Sequence, residues 1–221
     1  MAEVAWADES VGAPLRPAGR SLRKKAPAST LSVRELDIPD VLELVPKSFG
    51  DNRGHFREVY NARRFTEETG LVVGFVQSNQ SWSADKATLR GLHFQAPPFA
   101  QTKLVWAVHG TALDVAVDIR LGSPTFGRWV SLVLSAELGN QILVPAGFAH
   151  GFLTLEPETT IQYMVDNHYA PACDRGIRWD DPTIGIGWPL AGEVPTLSTR
   201  DAGFPRFAEI ETPFSYLESK R

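Results

Sequence analysis

Apolar and polar positions alternate in short runs along most of this chain. From Val72 onward such runs cover residues 72–79, 89–95, 103–108, 112–119, 128–134, 141–144, 150–155 and 160–165. Gly, Pro, Asn or Asp marks nearly every gap, as turns require. Eight closely spaced strands with no helical pattern between them predict an all-β sandwich or barrel rather than alternating β and α units. Further strands are expected at 41–45, after the Pro39-Asp40 turn, and at 55–60, after a turn over 50–54. Asn61 can cap a helix running through Glu68, with Gly70 at the left-handed position past its end. A weaker helical signal opens at Ser198-Thr199-Arg200-Asp201, close to the breakers Gly203 and Pro205.

Residues 1–30 read as a disordered tail. They contain seven alanines and three prolines in a mixed polar run, with Arg20, Arg23, Lys24 and Lys25 close together. Such a composition buries too little to offset the entropy of ordering it. Glu3, Asp8 and Glu9 argue against a transit peptide. Residues 31–221 are then one domain, long enough to bury a full core.

Composition narrows the function. A hydrophobic fraction of 43% and a charged fraction of 22% are those of an ordinary globular protein. A net charge of −4 supplies no basic field for nucleic acid. The single cysteine, Cys173, excludes an internal disulfide and suits a reducing compartment. No apolar run approaches the roughly 20 residues of a membrane helix, and no apolar signal core opens the chain. A cytoplasmic protein without a membrane or nucleic-acid partner is expected.

The informative chemistry lies between Leu89 and Gly110. Arg90, His93, Gln95 and Lys103 sit on two neighbouring strand patterns, separated by Ala96-Pro97-Pro98. Alternation puts Leu89, Gly91, His93 and Gln95 on one face, and Gly91 leaves room for a close approach to the backbone. An imidazole can act as a general base near neutrality, given a carboxylate to fix its tautomer. The chain offers one in Trp179-Asp180-Asp181-Pro182. Lys103 can neutralise an oxyanion developing on a carbonyl. Tyr163 lies on a strand whose inward face would carry its phenol into the barrel. A base, an acid on the other side and a cation at the carbonyl are what inversion beside a ketone requires. Each residue also has an ordinary reading: a hydrogen-bonded core histidine, a surface lysine, a tyrosine closing the barrel. Their coincidence favours chemistry.

The Pro145-Ala-Gly-Phe-Ala-His150 turn, taken with His93-Phe-Gln95, Lys103 and Gly110, resembles the two-motif framework of the cupins, a double-stranded β-helix of jelly-roll type. In metal cupins the first motif carries two histidines and a carboxylate. Gln95 and Lys103 stand in the places of the second histidine and the carboxylate. An ammonium repels a divalent ion and an amide is a poor ligand, so neither a metal nor another cofactor is expected.

Longer strings make the resemblance specific. Gly50-Asp-Asn-Arg53-Gly-His-Phe-Arg-Glu58, Gln77-Ser-Asn79, Arg90-Gly-Leu-His93, Gln101-Thr-Lys103, Asp114-Val-Ala-Val-Asp118-Ile-Arg120, 145–152 and 179–189 are similar to the dTDP-4-dehydrorhamnose 3,5-epimerase family, from about Leu31 to at least Pro189. That resemblance implies epimerisation at C-3 and C-5 of a dTDP-4-keto-6-deoxy sugar. It makes His93 the base with Asp181 as its partner, Tyr163 the proton donor and Lys103 the enolate stabiliser. It gives Arg53, Glu58, Gln77, Asn79, Arg90 and His150 to nucleotide and sugar binding, Tyr169 to stacking on the base, and adds Asp174. It also implies a homodimer in which Arg53 and Glu58 reach the neighbour's site. The tail to Thr30, Met164 after the tyrosine, and the segment after Pro189 depart from the family pattern. Alternatives are a single-centre epimerase, a 3,4-ketoisomerase, a metal-dependent cupin and a sugar-binding cupin without turnover.

Overall fold

A computed structural model describes residues 29–217. The tail expected over 1–30 therefore lies outside the described residues, apart from its last two. Thirteen strands follow in order: β1 (Leu31–Glu35), β2 (Leu42–Pro46), β3 (Ser48–Asp51), β4 (Gly54–Arg57), β5 (Gln77–Ser83), β6 (Leu89–Gln95), β7 (Lys103–His109), β8 (Thr111–Asp118), β9 (Trp129–Ser135), β10 (Gln141–Val144), β11 (Phe148–Thr154), β12 (Thr159–Val165) and β13 (Asp174–Gly176). They form a six-stranded sheet in the order β1-β2-β10-β7-β12-β5, a five-stranded sheet in the order β13-β6-β11-β8-β9, and a separate β3-β4 hairpin. Every pairing between these strands is antiparallel. The two large sheets pack face to face as a jelly roll.

Alternation decides what each sheet buries. Val105, Ile142 and Ile161 of the first sheet meet Ala116, Val130, Leu134 and Phe152 of the second in the central core. Leu104, Trp106 and Leu143 point the other way and pack under the helix α1 (Ala62–Thr69) through Phe65. The outer face of the second sheet, with Leu92, Val115, Val117 and Ala149, is covered by the C-terminal segment through Trp188, Phe207 and Phe214. Each fully buried Leu, Ile or Val side chain contributes about 1.5–3 kcal/mol.

The helix follows its sequence signals. The Asn61 side chain accepts a hydrogen bond from the Arg64 N–H, and Gly70 closes the helix in the left-handed region at φ 72°. The expected strand at 72–79 begins instead at Gln77. Val73 and Phe75 turn onto the α1 cluster while Val72 is exposed, so only Val76 reaches β12, through Val165 O. β1, β3 and β13 lie outside the strand patterns read from the sequence. Each is three to five residues long and at least half exposed or charged, which leaves no apolar alternation to detect.

β6 departs from simple alternation in a way that shapes the interior. Arg90 pairs with Phe152 and His93 with His150, so three steps on β6 match two on β11. The extra residue, with Gly91 at φ 136°, forms a bulge. Arg90 and His93, which regular alternation would send to opposite faces, therefore both line one cavity. Gly91 does admit a close approach, but by protein backbone: a Cβ there would meet Gly151 Cα at 2.6 Å.

Candidate active site

The cavity opens between the two sheets in two lobes of about 480 and 380 Å³. His93, Lys103, Tyr163 and Arg200 border both lobes. Arg90, His150, Phe152, Leu89, Ser81 and Asp201 are among those lining the first alone, while Gln77, Asn79, Tyr169 and Asp174 belong to the second. Nine of the twelve site residues expected from the sequence border this cavity, and Asp181, Arg53 and Glu58 do not.

His93 Nε2 lies 2.9 Å from Asp201 Oδ1. The other oxygen of Asp201 accepts the Gly91 N–H at 3.1 Å. Asp201 sits on the short helix α2 (Thr199–Ala202), where the Ser198 hydroxyl caps its N–H. Burial opposes the charge on Asp201, but hydrogen bonds from His93 and Gly91, the His93 charge and Ser198 together hold its carboxyl below the usual range. An ionised carboxylate accepts only, so the proton of the neutral imidazole is on Nε2 and the lone pair is on Nδ1.

This corrects the expected dyad. Asp181 is buried, but its Oδ1 accepts the N–H groups of Thr183 (2.9 Å) and Ile184 (3.1 Å), and its Oδ2 accepts that of Phe207 (2.8 Å). Both oxygens are occupied in fastening the C-terminal segment, which removes Asp181 from the candidate catalytic residues. The available signal for Asp201 was its place three residues after the Ser198 cap, in a stretch that matched the family pattern poorly.

Lys103 is half-buried where the two lobes meet. Burial pushes its ammonium down to about 8, against the pull of Asp114 and Asp174. His150 lies opposite His93 on β11, and both Asp114 oxygens are 2.9 Å from its Nε2. Burial lowers the His150 imidazole, and Asp114 partly restores it. Tyr163 projects from β12, on the opposite sheet from His93. Burial raises its phenol, with Asp174 and Tyr169 adding to this and Arg90 opposing it, so the group keeps its proton through the neutral range.

The second lobe is a polar network. Gln77 Nε2 donates to Asn79 Oδ1 at 2.8 Å, and Gln77 Oε1 accepts the Tyr169 N–H at 3.1 Å. The Tyr169 hydroxyl donates to Asp174 at 2.8 Å, and Arg200 pairs with the same carboxylate at 2.6 Å. Arg90 is held by Ser83 Oγ and Trp82 O. Gln95, in the place of a cupin ligand, spends its amide on Phe99 O, His168 O and the Ala170 N–H. Among the described residues no group of three or more His, Cys, Asp or Glu side chains is placed to hold a metal.

Arg53 and Glu58 lie outside the cavity. Arg53 is exposed at the tip of the β3-β4 hairpin on Asp51, and Glu58 pairs with Arg64 at 2.9 Å beside the helix. No helix among the described residues is long and apolar enough to cross a membrane.

Comparison with known proteins identifies the family. The profile of the family described as dTDP-4-dehydrorhamnose 3,5-epimerase matches residues 35–209, most of the chain. The chain belongs to this family. The dTDP-4-dehydrorhamnose 3,5-epimerase of Sinorhizobium fredii is 49% identical over 185 residues, which span 84% of this chain and 94% of that protein. That of Salmonella typhimurium is 52% identical over 168 residues, 76% and 91% of the two chains. The solved dTDP-6-deoxy-D-glucose-3,5-epimerase of Legionella pneumophila, in complex with dTDP-4-keto-L-rhamnose, superposes with a TM-score of 0.80 at 41% identity. It covers 84% of this chain and 98% of that one. The family match runs past Pro189 and includes Asp201, so the C-terminal segment belongs to the shared fold. The tail to Thr30 precedes the match.

Proposed function

We propose that this protein is an isomerase that inverts C-3 and C-5 of dTDP-4-keto-6-deoxyglucose to give dTDP-4-keto-L-rhamnose. One observation carries the mechanism: a carboxylate-held imidazole and a protonated phenol project from opposite sheets into one cavity that the Lys103 ammonium also lines. His93 Nδ1 removes the proton on the carbon beside the ketone. The electron pair moves to form a carbon–carbon double bond and an enolate oxygen at C-4, which the Lys103 ammonium stabilises. The Tyr163 hydroxyl returns a proton to the opposite face, and the imidazolium and phenolate then re-equilibrate with solvent. Repetition at the other neighbouring carbon completes the reaction. Asp201 stabilises the imidazolium and fixes the ring.

The two lobes suit the two halves of such a substrate. Leu89 and Phe152 give the first lobe an apolar wall that accepts a C-6 methyl group, beside Arg90 and His150. Gln77, Asn79, Tyr169 and Asp174 give the second a polar wall with an aromatic ring for a pyrimidine. We assign the protein to the cytoplasm and to a homodimer. Phe49 and Phe56 face one another across the detached hairpin, 44% and 69% exposed, an apolar face suited to a second copy. Arg53 at the hairpin tip and Glu58 just past it would then complete the partner's site.

The test is incubation with dTDP-4-keto-6-deoxyglucose in deuterated water, followed by NMR. Label at both C-3 and C-5 with inverted product is expected. Label at one carbon alone would make the protein a single-centre epimerase, and no label would remove the reading.

A further inference from the structure

β5 carries a hydroxyl that the fold does not use. Alternation turns Gln77, Asn79, Ser81 and Ser83 of this edge strand toward the interior. Three of the four have partners: Gln77 and Asn79 bond one another, and Ser83 Oγ accepts from Arg90. Ser81 Oγ is buried with no hydrogen-bond partner, one of only two such side-chain atoms among the described residues. The other, Arg57 Nε, belongs to a guanidinium whose two remaining nitrogens are bonded to Ala136 O and Glu137 O. An unsatisfied buried hydroxyl is unfavourable and needs an explanation, which a bound ligand can supply.

Its position points to that ligand. Ser81 lines the first lobe together with Arg90, His93 and Tyr163 and does not border the second. In the β5-β12 register Tyr163 is opposite Asn79 and Ile161 is opposite Ser81. Ser81 is thus the diagonal neighbour of Tyr163 on the same wall, at a Cα spacing of roughly 7–8 Å. A serine hydroxyl is re-aimed by rotation about Cα–Cβ without moving the strand, and it both donates and accepts.

We propose that Ser81 contacts the substrate, its hydroxyl bonding an oxygen of the hexose and holding the ring against the Tyr163 wall. This rests on the epimerase reading and adds a residue to its sugar site. Because no fold contact depends on the hydroxyl, its removal separates stability from function.

The experiment compares Ser81→Ala with wild type, as full chains, by thermal melting, dTDP binding and steady-state turnover of dTDP-4-keto-6-deoxyglucose. The melting temperature is expected to be unchanged or higher, and dTDP affinity unchanged. The kcat/KM should fall roughly 3- to 10-fold, as for one lost hydrogen bond. Wild-type kcat/KM, a lowered melting temperature, or a matching loss of dTDP affinity would each overturn the proposal. Absence of turnover by the wild-type protein would remove the epimerase reading, and this proposal with it.

Discussion

His93 and Asp201 are 108 residues apart in the chain, yet Nε2 and Oδ1 are 2.9 Å apart across the edge of the second sheet. The contact is possible because the C-terminal segment folds back over β6 and presents α2 beside Gly91. The same carboxylate takes the Gly91 N–H, so it fixes the imidazole and the bulge together.

Asp201 and Asp181 should separate chemistry from stability. Asp201→Asn retains the shape but not the charge that supports the imidazolium, and kcat should fall by roughly 10²-fold or more. Asp181→Ala leaves the N–H groups of Thr183, Ile184 and Phe207 without their acceptor, the Ile184 group buried, and should cost on the order of 1–3 kcal/mol of stability, while the folded enzyme keeps its kcat. Turnover assays paired with thermal melts check both. The reverse pattern would return the dyad to Asp181.

Lys103 gives opposed pH trends. In the proposed mechanism its charged form stabilises the enolate, so kcat/KM should fall as pH rises through about 8. Its folded-state value lies below that of the unfolded chain, so between about pH 8 and the unfolded value the unfolded state holds more protons. Stability from this group therefore rises with pH over that window. Lys103→Met should melt higher than wild type at neutral pH and be nearly inactive. An alkaline limb that survives in Lys103→Arg would assign it to another group.

Chelation should leave turnover unchanged. Both histidines of the cavity are committed to carboxylates, Gln95 to backbone groups, and the Lys103 ammonium lines the same cavity. Activity lost with EDTA and restored by zinc, iron or nickel would contradict this.

The exposed hairpin predicts an assembly. Phe56→Asp should shift the protein toward monomer in sedimentation velocity and lower turnover, because Arg53 and Glu58 would no longer reach a neighbour's cavity. A monomeric wild type with full activity would refute the shared site.

Much of the fold was legible because its strands are two-faced. Residues 141–144 coincide with β10, 89–95 with β6, and the Asn61 and Gly70 signals with both ends of α1. The site was legible where a residue faces the cavity from a regular strand, as Tyr163 and Lys103 do. It was not legible where geometry depends on an irregularity or a distant loop. The β6 bulge turns Arg90 into the cavity, against the two-residue period. Asp201 reaches His93 from a four-residue helix that carries no apolar stripe, whereas Asp181, in the more conspicuous Asp-Pro motif, is consumed by backbone. The strings around Asp118 are of that second kind too. Asp118 is fully buried and accepts from Arg120, Ser123 and Thr125, a network that braces the β8-β9 turn away from the cavity.

The central claim is that proton removal and proton return use different groups on opposite sheets, and Tyr163→Phe tests it most directly. The ring and its packing stay, so the fold should be nearly unchanged. His93, Asp201 and Lys103 still form the enolate, and the same base can return a deuteron. Incubated in deuterated water with dTDP-4-keto-6-deoxyglucose, the variant should therefore keep measurable exchange while epimerised product falls roughly 10²–10⁴-fold. Equal loss of exchange and epimerisation, or full activity, would contradict the assignment of the acid to Tyr163.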